Sequence, residues 1–370
     1  MGFLSIYPYQ FRNLTAEKVP TDADVIYLVG QNGQGKTNFL EAIYLLCFGS
    51  SFRTKNNNVL ISQEKKEMSV HGDFEEKEHY DRLSISVGIR EGKKELSVNG
   101  NKVKDRKELV RNVPCIIFSH EDIEFVKGSP ERKRFFFNQV MSLHKPSFID
   151  SLRNYNKIVK MRNVELKEGN TQNLDIYDIQ LAEYGRVIQQ QREVTITEFN
   201  TTFHEVYRKI HQTVDNRDNT PIQICYNPSW KGCREKEDIL SVLEKKRESD
   251  RDCQFTTSGP HRDRFQYRKD GKNFVTTAST GQFRLAALTL RVAQAVYFSE
   301  KTGRKPILLL DDVLLELDGR KKEAFLQALP AFEQAFFTFL PEERYERFYT
   351  KDSVLIYSVK DGKMGHEESG

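Results

Sequence analysis

Gly30-Gln31-Asn32-Gly33-Gln34-Gly35-Lys36-Thr37 follows an apolar, β-branched run, Val25-Ile26-Tyr27-Leu28-Val29. Phe39, Leu40, Ile43, Tyr44, Leu46 and Cys47 come after it at helical spacing. Strand, glycine loop and helix, in that order, are what a phosphate-binding loop requires. Gly30, Gly33 and Gly35 allow a tight turn and bring backbone N–H groups close to an anion. The positive end of the following helix faces the same anion. Lys36 reaches the β- and γ-phosphates, and the Thr37 hydroxyl is a ligand for Mg²⁺. We therefore assign Gly30, Gln31, Asn32, Gly33, Gln34, Gly35, Lys36, Thr37 and Asn38 to nucleotide binding, with Mg²⁺ as the expected cation.

Such a loop needs a carboxylate at the end of a neighbouring strand. The run Ile307-Leu308-Leu309-Leu310 ends in Asp311-Asp312. Four buried apolar residues put Asp311 at the carboxyl edge of a parallel sheet, where ligands sit in open α/β folds. Asp311 is the expected Mg²⁺ partner of Thr37. Asp312 is placed to orient or deprotonate an attacking water. Between the two halves, Ser279-Thr280-Gly281-Gln282 precedes an Ala/Leu-rich helix expected over Arg284–Ala295. Ser279 can cap that helix, and Gly281 permits close approach of a phosphate. About 240 residues separate these two phosphate-binding helix starts. A head-to-tail pair of subunits, each loop covered by Ser279, Gly281 and Gln282 of the other, satisfies both.

The 370 residues suffice for two or three domains. No apolar run approaches the eighteen or so residues of a membrane span, and the N-terminus has no signal-peptide pattern. Five scattered cysteines without a C-x-x-C pair suit a reducing cytoplasm. The net charge of +4 permits a nucleic-acid partner only if cations cluster. Strand patterns cover Val70–Phe74, Leu83–Ile89 and Glu95–Val98, with an Asn99-Gly100 hairpin turn, and Pro114–Phe118. From about 121 to 215 the period is helical, and the spacing does not hold a coiled-coil heptad. A polar loop is expected over Asp215–Pro221, a strand over Ile222–Tyr226 and a charged helix over Glu235–Arg251. Strands are further expected over Phe274–Thr277 and Ala335–Phe339, a helix over Arg320–Leu329, and loose residues over Gly365–Gly370.

The order of phosphate loop, Ser-Thr-Gly-Gln segment and Asp-Asp strand resembles the ABC-type ATPases. Glu316-Leu317-Asp318 follows where their D-loop sits. The inserted helical region resembles the SMC/Rad50/RecF branch, and most of the chain is similar to the RecF family of bacterial recombination mediators. Phe11-Arg12-Asn13, Ser51-Phe52-Arg53-Thr54, Lys127-Gly128-Ser129-Pro130, Arg162-Asn163, Gly259-Pro260-His261-Arg262-Asp263 and Leu308–Val313 carry that similarity. Phe283, His120 and Arg264 depart from the family pattern.

The resemblance implies an α/β, ABC-type ATPase head, a P-loop mixed sheet with an attached β-subdomain, plus an inserted mainly helical lobe. Its expected divisions are 1–120, 121–255 and 256–370. It implies a slow DNA-dependent ATPase of DNA repair, replication, recombination and the SOS response, forming an ATP-dependent homodimer. Single- and double-stranded DNA, with gaps or junctions, and RecO and RecR are the implied partners. A cytoplasmic, nucleoid-associated location is implied, without a membrane. By fold analogy Arg12 and Asn13 contact nucleotide, and Arg53 approaches the γ-phosphate in cis as a catalytic group with Lys36, Asp311 and Asp312. Cation clusters nominated for DNA are Arg132, Lys133 and Arg134; Lys157, Lys160 and Arg162; Arg186; and Lys245–Arg247. Their contacts would be mostly to phosphates and salt-dependent. An SMC-like clamp without a mediator role and a transporter ATPase subunit are the alternatives.

Overall fold

The computed structural model describes residues 2–75, 82–170, 172–212, 220–315, 317–343 and 353–367. Two compact units divide the chain: residues 1–121 with 298–370, and residues 122–297. From the N-terminus run β1 (Phe3–Tyr9), β2 (Val19–Pro20), β3 (Val25–Val29), α1 (Lys36–Phe48), β4 (Glu67–Glu75), β5 (Arg82–Arg90), β6 (Lys93–Val98), β7 (Asn101–Lys102), α2 (Lys107–Asn112) and β8 (Cys115–Phe118). The second unit holds α3 (Glu124–Lys127), α4 (Pro130–His144), α5 (Ser147–Glu168), α6 (Leu174–Gln212), β9 (Gln223–Asn227), α7 (Lys236–Cys253), β10 (Arg264–Lys269), β11 (Lys272–Asn273) and α8 (Phe274–Thr277). Then come α9 (Thr280–Thr302), β12 (Ile307–Leu310), α10 (Gly319–Ala328), β13 (Gln334–Phe339), β14 (Val354–Lys360) and β15 (Lys363–Glu367).

Two sheets build the first unit. One is antiparallel, in the order β2-β1-β4-β5-β6-β7; the other runs β15-β14-β3-β13-β12-β8. In the second sheet β14, β3, β13, β12 and β8 are mutually parallel, and only β15 is antiparallel. Its central strands β3, β12 and β13 are buried throughout, as the apolar runs of β3 and β12 require; β13 buries Gln334 and Thr338 among its apolar residues. Helix α1 is buried on nearly every side, which suits its run of apolar residues from Phe39 to Phe48, broken only by Glu41. It shares one core with both sheets: Leu40, Ile43 and Leu46 join Val70, Ile85 and Val87 on one side and Ile26, Leu309 and Phe336 on the other. At Gly72 of β4 a Cβ would lie 2.6 Å from Leu46, so glycine there sets how closely helix and sheet approach. The Asn99-Gly100 turn forms as expected, with φ of 50° and 74°.

Phe274–Thr277, expected as a strand, is instead a single helical turn. Asn273 Oδ1 accepts from Val275 N at 3.1 Å and starts the turn. The strand of this region is β10, where Phe265 and Tyr267 alternate inward. The Asp270-Gly271 turn, with φ of 50° and 73°, returns the chain into β11. Because β10 pairs antiparallel with β9, residues beyond 255 belong to the inserted unit, which extends to Tyr297. At the C-terminus Gly365–Glu367, expected loose, are paired with β14. Residues 368–370, most of the loop expected over 215–221, and Glu316 of the D-loop lie outside the described residues.

Candidate nucleotide-binding site

The loop after β3 is shaped by contacts that exclude side chains. A Cβ at Gly30 would lie 2.4 Å from Val359 O. Gly33 and Gly35 have φ of 80° and 117°, which glycine adopts without steric cost. Behind the loop, Gly362 N donates to Gln34 O at 2.8 Å and Asp361 N to Gln34 Oε1 at 2.7 Å. The β14–β15 turn therefore holds the loop from outside. Sequence reasoning missed that turn, although Asp361-Gly362 after the mostly apolar run Val354–Val359 is a strong hairpin signal. Lys36 is nearly buried, and its Nζ donates to Gly30 O at 2.5 Å and to Gln31 O at 3.3 Å.

The two halves of the predicted site meet. Thr37 Oγ1 donates to Asp311 Oδ1 at 2.7 Å, although 274 residues separate them. Burial pushes the Asp311 carboxyl up to about 6, opposed by the Thr37 hydrogen bond, reinforced by Asp312, and opposed again by the positive charges of Arg53 and His120. A buried carboxylate beside a hydroxyl is an oxygen donor set that suits Mg²⁺. No group of three or more His, Cys, Asp and Glu gathers as a metal site among the described residues, so phosphate oxygens would complete the shell. Asp312 stands in the left-handed region at φ 52°. Its N–H donates to Thr338 Oγ1 at 2.7 Å, and that hydroxyl donates to Asp312 Oδ1 at 2.8 Å. Thr338 can do this because β13 lies between β3 and β12.

Arg12, Asn13, Asn38 and Arg53 form one rim. Asn13 Nδ2 donates to Gly33 O at 3.4 Å, and Asn38 Nδ2 to Asn13 Oδ1 at 2.7 Å. Arg53 Nη1 donates to Asn38 Oδ1 at 2.9 Å. Arg12 makes a bidentate pair with Glu41, at 2.9 and 3.0 Å. Glu41 escaped sequence analysis, although a lone acid in the apolar run after Thr37 was its signal. Gln31 Nε2 donates to Glu342 Oε1 at 2.8 Å; Asn32 is exposed.

On the second unit, Ser279 and Gln282 cap α9 reciprocally. Ser279 N donates to Gln282 Oε1 at 2.8 Å and Gln282 N to Ser279 Oγ at 3.3 Å. Ser279, Gly281 and Gln282 are exposed. A Cβ at Gly281 would meet nothing within 4 Å, so local packing does not demand glycine there.

One nominated DNA contact is overturned. Arg162 is fully buried; its Nε donates to Asp178 at 2.8 Å, and its Nη1 to Asp250 at 2.7 Å and Thr256 at 3.1 Å. It is an internal tie between α5, α6 and α7. Lys133 is half-buried over the Tyr267 ring, and burial lowers its pKa. Arg134 donates to Asp263 O at 2.9 Å. Arg186 lies 3.9 Å from Glu235, and Arg247 pairs with Asp175 and Asp178. Arg132, Lys157 and Lys160 are exposed.

The Gly259–Asp263 segment has a structural reading. His261 Nε2 faces Thr256 O at 3.0 Å and must carry the proton; Nδ1, at 2.7 Å from Tyr155 Oη, therefore accepts. Arg262 lies 4.8 Å over Phe255. Asp263 is buried and accepts from Arg192 at 2.6 Å, Tyr226 Oη at 2.5 Å and Ser229 N at 2.8 Å.

This fold and its paired Thr37 and Asp311 define an ABC-type ATPase head. Residues 4–364 match the family model described as the RecF/RecN/SMC N-terminal domain. A Treponema pallidum protein described as "DNA replication and repair protein RecF" is 38% identical over 95% of this chain and 97% of its own length. A Clostridium botulinum protein of the same description is 32% identical over 98% and 99%. A solved structure of "the recombination mediator protein RecF-ATP in RecFOR pathway" superposes with a TM-score of 0.87 at 31% identity, covering 99% of this chain and 98% of that one. An Smc head bound to part of ScpA, 16% identical over 99% and 96% of the two chains, gives a TM-score of 0.56 and shares the fold. The chain belongs to the RecF family.

Proposed function

We propose that this chain is an ATP-dependent DNA-binding protein of recombinational repair, which closes as a dimer on ATP and reopens on slow, DNA-dependent hydrolysis. The observation that carries this reading is the Thr37–Asp311 hydrogen bond of 2.7 Å at the mouth of a glycine-shaped loop. Gly30, Gly33, Gly35 and Lys36 would hold the phosphates, and Thr37 and Asp311 the Mg²⁺. When bound, the cation neutralises charge between the outer phosphates. Asp312, fixed by Thr338, orients the attacking water and takes its proton. Arg53 stabilises charge at the last phosphate. Ser279, Gly281 and Gln282 present a capped, exposed helix start to the loop of a second subunit, so the closed dimer exists only while the triphosphate bridges it.

DNA is held chiefly through phosphates by exposed cations, among them Arg132 and Lys160, with Arg186, Lys133 and Arg134 contributing where their present partners allow. Gapped or junction DNA is among the forms it recognises. With RecO and RecR the protein promotes RecA loading on single strands, in the cytoplasm at the nucleoid. The Gly259–Asp263 and Lys127–Pro130 segments and the long inserted unit oppose a transporter-subunit reading.

The test is the size of the full chain in solution with and without ATP and a single/double-strand junction DNA. A dimer with ATP, further stabilised by the junction, is expected; a monomer under all conditions overturns the reading. Ser279→Arg should remain monomeric with ATP while binding nucleotide as before. A variant that still closes rejects the contribution of that segment across the dimer.

A further inference from the structure

Glu41 stands four residues beyond Thr37, one helical turn along α1, and is fully buried. Four side-chain groups converge on its carboxylate. Arg12 Nε donates to Oε2 at 2.9 Å and Arg12 Nη2 to Oε1 at 3.0 Å. Ser51 Oγ donates to Oε1 at 2.5 Å, and Arg53 Nη1 lies 3.6 Å from Oε2. We propose that Glu41 is a positioning residue that sets Arg12 and Arg53 at the rim of the phosphate loop and thereby makes the site prefer a nucleoside triphosphate to a diphosphate. This deepens the nucleotide reading of the loop and rests on it.

The two arginines are held differently. A buried carboxylate needs close compensation, and Arg12 supplies it through both atoms of one guanidinium edge. Its backbone is committed as well: Arg12 N donates to Leu60 O at 2.9 Å, with φ at 52°. Arg12 is thus a fixed tie between the N-terminal turn and α1. Arg53 is looser. Its side chain is 40% exposed, it stands outside hydrogen-bond range of Glu41, and Nη1 is taken by Asn38 Oδ1 at 2.9 Å. A guanidinium carries five N–H donors, so most of that fork remains for an anion.

The two guanidinium groups are not answered equally. Glu41 is paired closely with Arg12, which leaves Arg53 beside the Lys36 loop without a carboxylate in hydrogen-bond contact among the described residues. Ser51 fixes where that charge sits: its hydroxyl oxygen, donating to Glu41, also accepts from Arg53 N at 2.9 Å and Thr54 N at 3.0 Å. The loop that carries Arg53 is therefore folded around the same carboxylate. Asn38, which holds Arg53, directly follows Thr37, whose hydroxyl meets Asp311. The Arg53 charge thus lies at the end of the site that receives the outermost phosphate and its Mg²⁺. A diphosphate is cradled by the glycine loop and Lys36 but has less to offer this rim. Removing the Glu41 charge frees Arg12 to draw away and loosens Ser51, around which the Arg53 loop is folded, so the third phosphate loses its contact first.

The experiment compares Mg²⁺-ATP and Mg²⁺-ADP affinity, measured with fluorescent analogues on the full chain. Glu41→Gln should weaken ATP about tenfold and ADP much less, the range expected for losing a charge-assisted hydrogen bond. Arg53→Ala should compress the ATP:ADP ratio equally, and the double variant should compress it no further, because both act through one contact. Equal loss of ATP and ADP affinity, additive effects, or a wild-type chain without triphosphate preference would each overturn the proposal. Should Glu41→Gln fail to fold, Glu41→Gln with Arg12→Gln leaves no unpaired buried charge and reads the same ratio. Lys36→Met separates the two levels. Retained ATP binding in that variant sinks the nucleotide site itself. Loss there with an unchanged ratio in Glu41→Gln sinks only the positioning role.

Discussion

The phosphate-loop region and the interior of the 122–297 unit both gather cations, and they do opposite things with them. In the inserted unit Arg162 is enclosed by Asp178, Asp250 and Thr256, and Arg192 by Asp263, Asn138 and Pro260 O. Acids there answer the cations side by side, and the groups are sealed from water. Around the loop, Lys36 is held only by carbonyl oxygens and Arg53 by an amide and a distant carboxylate. Neutral partners leave a charge unspent, whereas ionic partners at short range consume it. Cationic side chains therefore serve architecture in one unit and ligand recognition in the other. Enclosure by acids, and not sequence clustering, distinguishes the two.

The sharpest way to break that distinction is Lys36→Met. Among the described residues its ammonium has no acid to leave stranded, so fold stability should change by less than about 1 kcal/mol while nucleotide affinity falls beyond detection. Fluorescent-nucleotide titration beside a melting curve reads both, and a variant that still binds ATP removes the loop's assigned role. The converse substitution is Arg162→Ala, which leaves Asp178 and Asp250 buried without their shared cation. Unfolding in urea should show a loss of about 3–5 kcal/mol, with nucleotide affinity of the folded protein unchanged. If stability held and DNA affinity dropped instead, Arg162 would belong with the recognition groups after all.

Asp312→Asn tests the loop region from the side of chemistry. The amide keeps the volume and accepts from Thr338, but it cannot take a proton. Turnover should fall about 100-fold, within the usual range for a general base, and an ATP-closed dimer should persist on a sizing column. Unchanged turnover would assign the base elsewhere.

The chain announced some of this and concealed the rest. The strand, loop and helix around Gly30–Thr37 were legible because glycine spacing and hydrophobic period are local signals. Asp311 was legible because an apolar run of buried-strand length ends there, and the Ser279–Gln282 cap is a four-residue pattern. Arg162 misled because the acids that enclose it stand 16 and 88 residues away; exposure and burial look alike in a Lys-rich helix. Glu41 was visible as an acid among apolar neighbours, but its partners come from turns before and after the helix. The strand at Arg264–Lys269 carried a readable alternation and an Asp-Gly turn, which the β-branched Val275–Thr277 outweighed. Propensity there yields to the cap that Asn273 supplies.

The smallest effect is invisible at neutral pH and sits in the sealed unit. Burial is the main force holding His261 down to about 4, with Arg262 and Arg134 adding to it and the Thr256 carbonyl and Asp250 opposing. The unfolded chain takes up a proton near 6.5, the folded chain only near 4. Between those values the unfolded state binds more protons, so stability falls as pH drops through 6.5 towards 4 and is fully present above that window. The loss tends to at most about 3 kcal/mol. Carboxylates titrate in the same range, so the informative quantity is the difference from His261→Gln, which accepts from Tyr155 and donates to Thr256 without a titrating group. Wild type should lose more stability than this variant between pH 6.5 and 4. Ring nitrogen NMR should also show the neutral Nε2–H form of His261 persisting to about pH 4. Parallel pH profiles, or a ring that protonates near 6.5, would mean that the imidazole is not sealed between Tyr155 and Thr256. The contrast between an enclosed unit and an open loop would then narrow to the arginines alone.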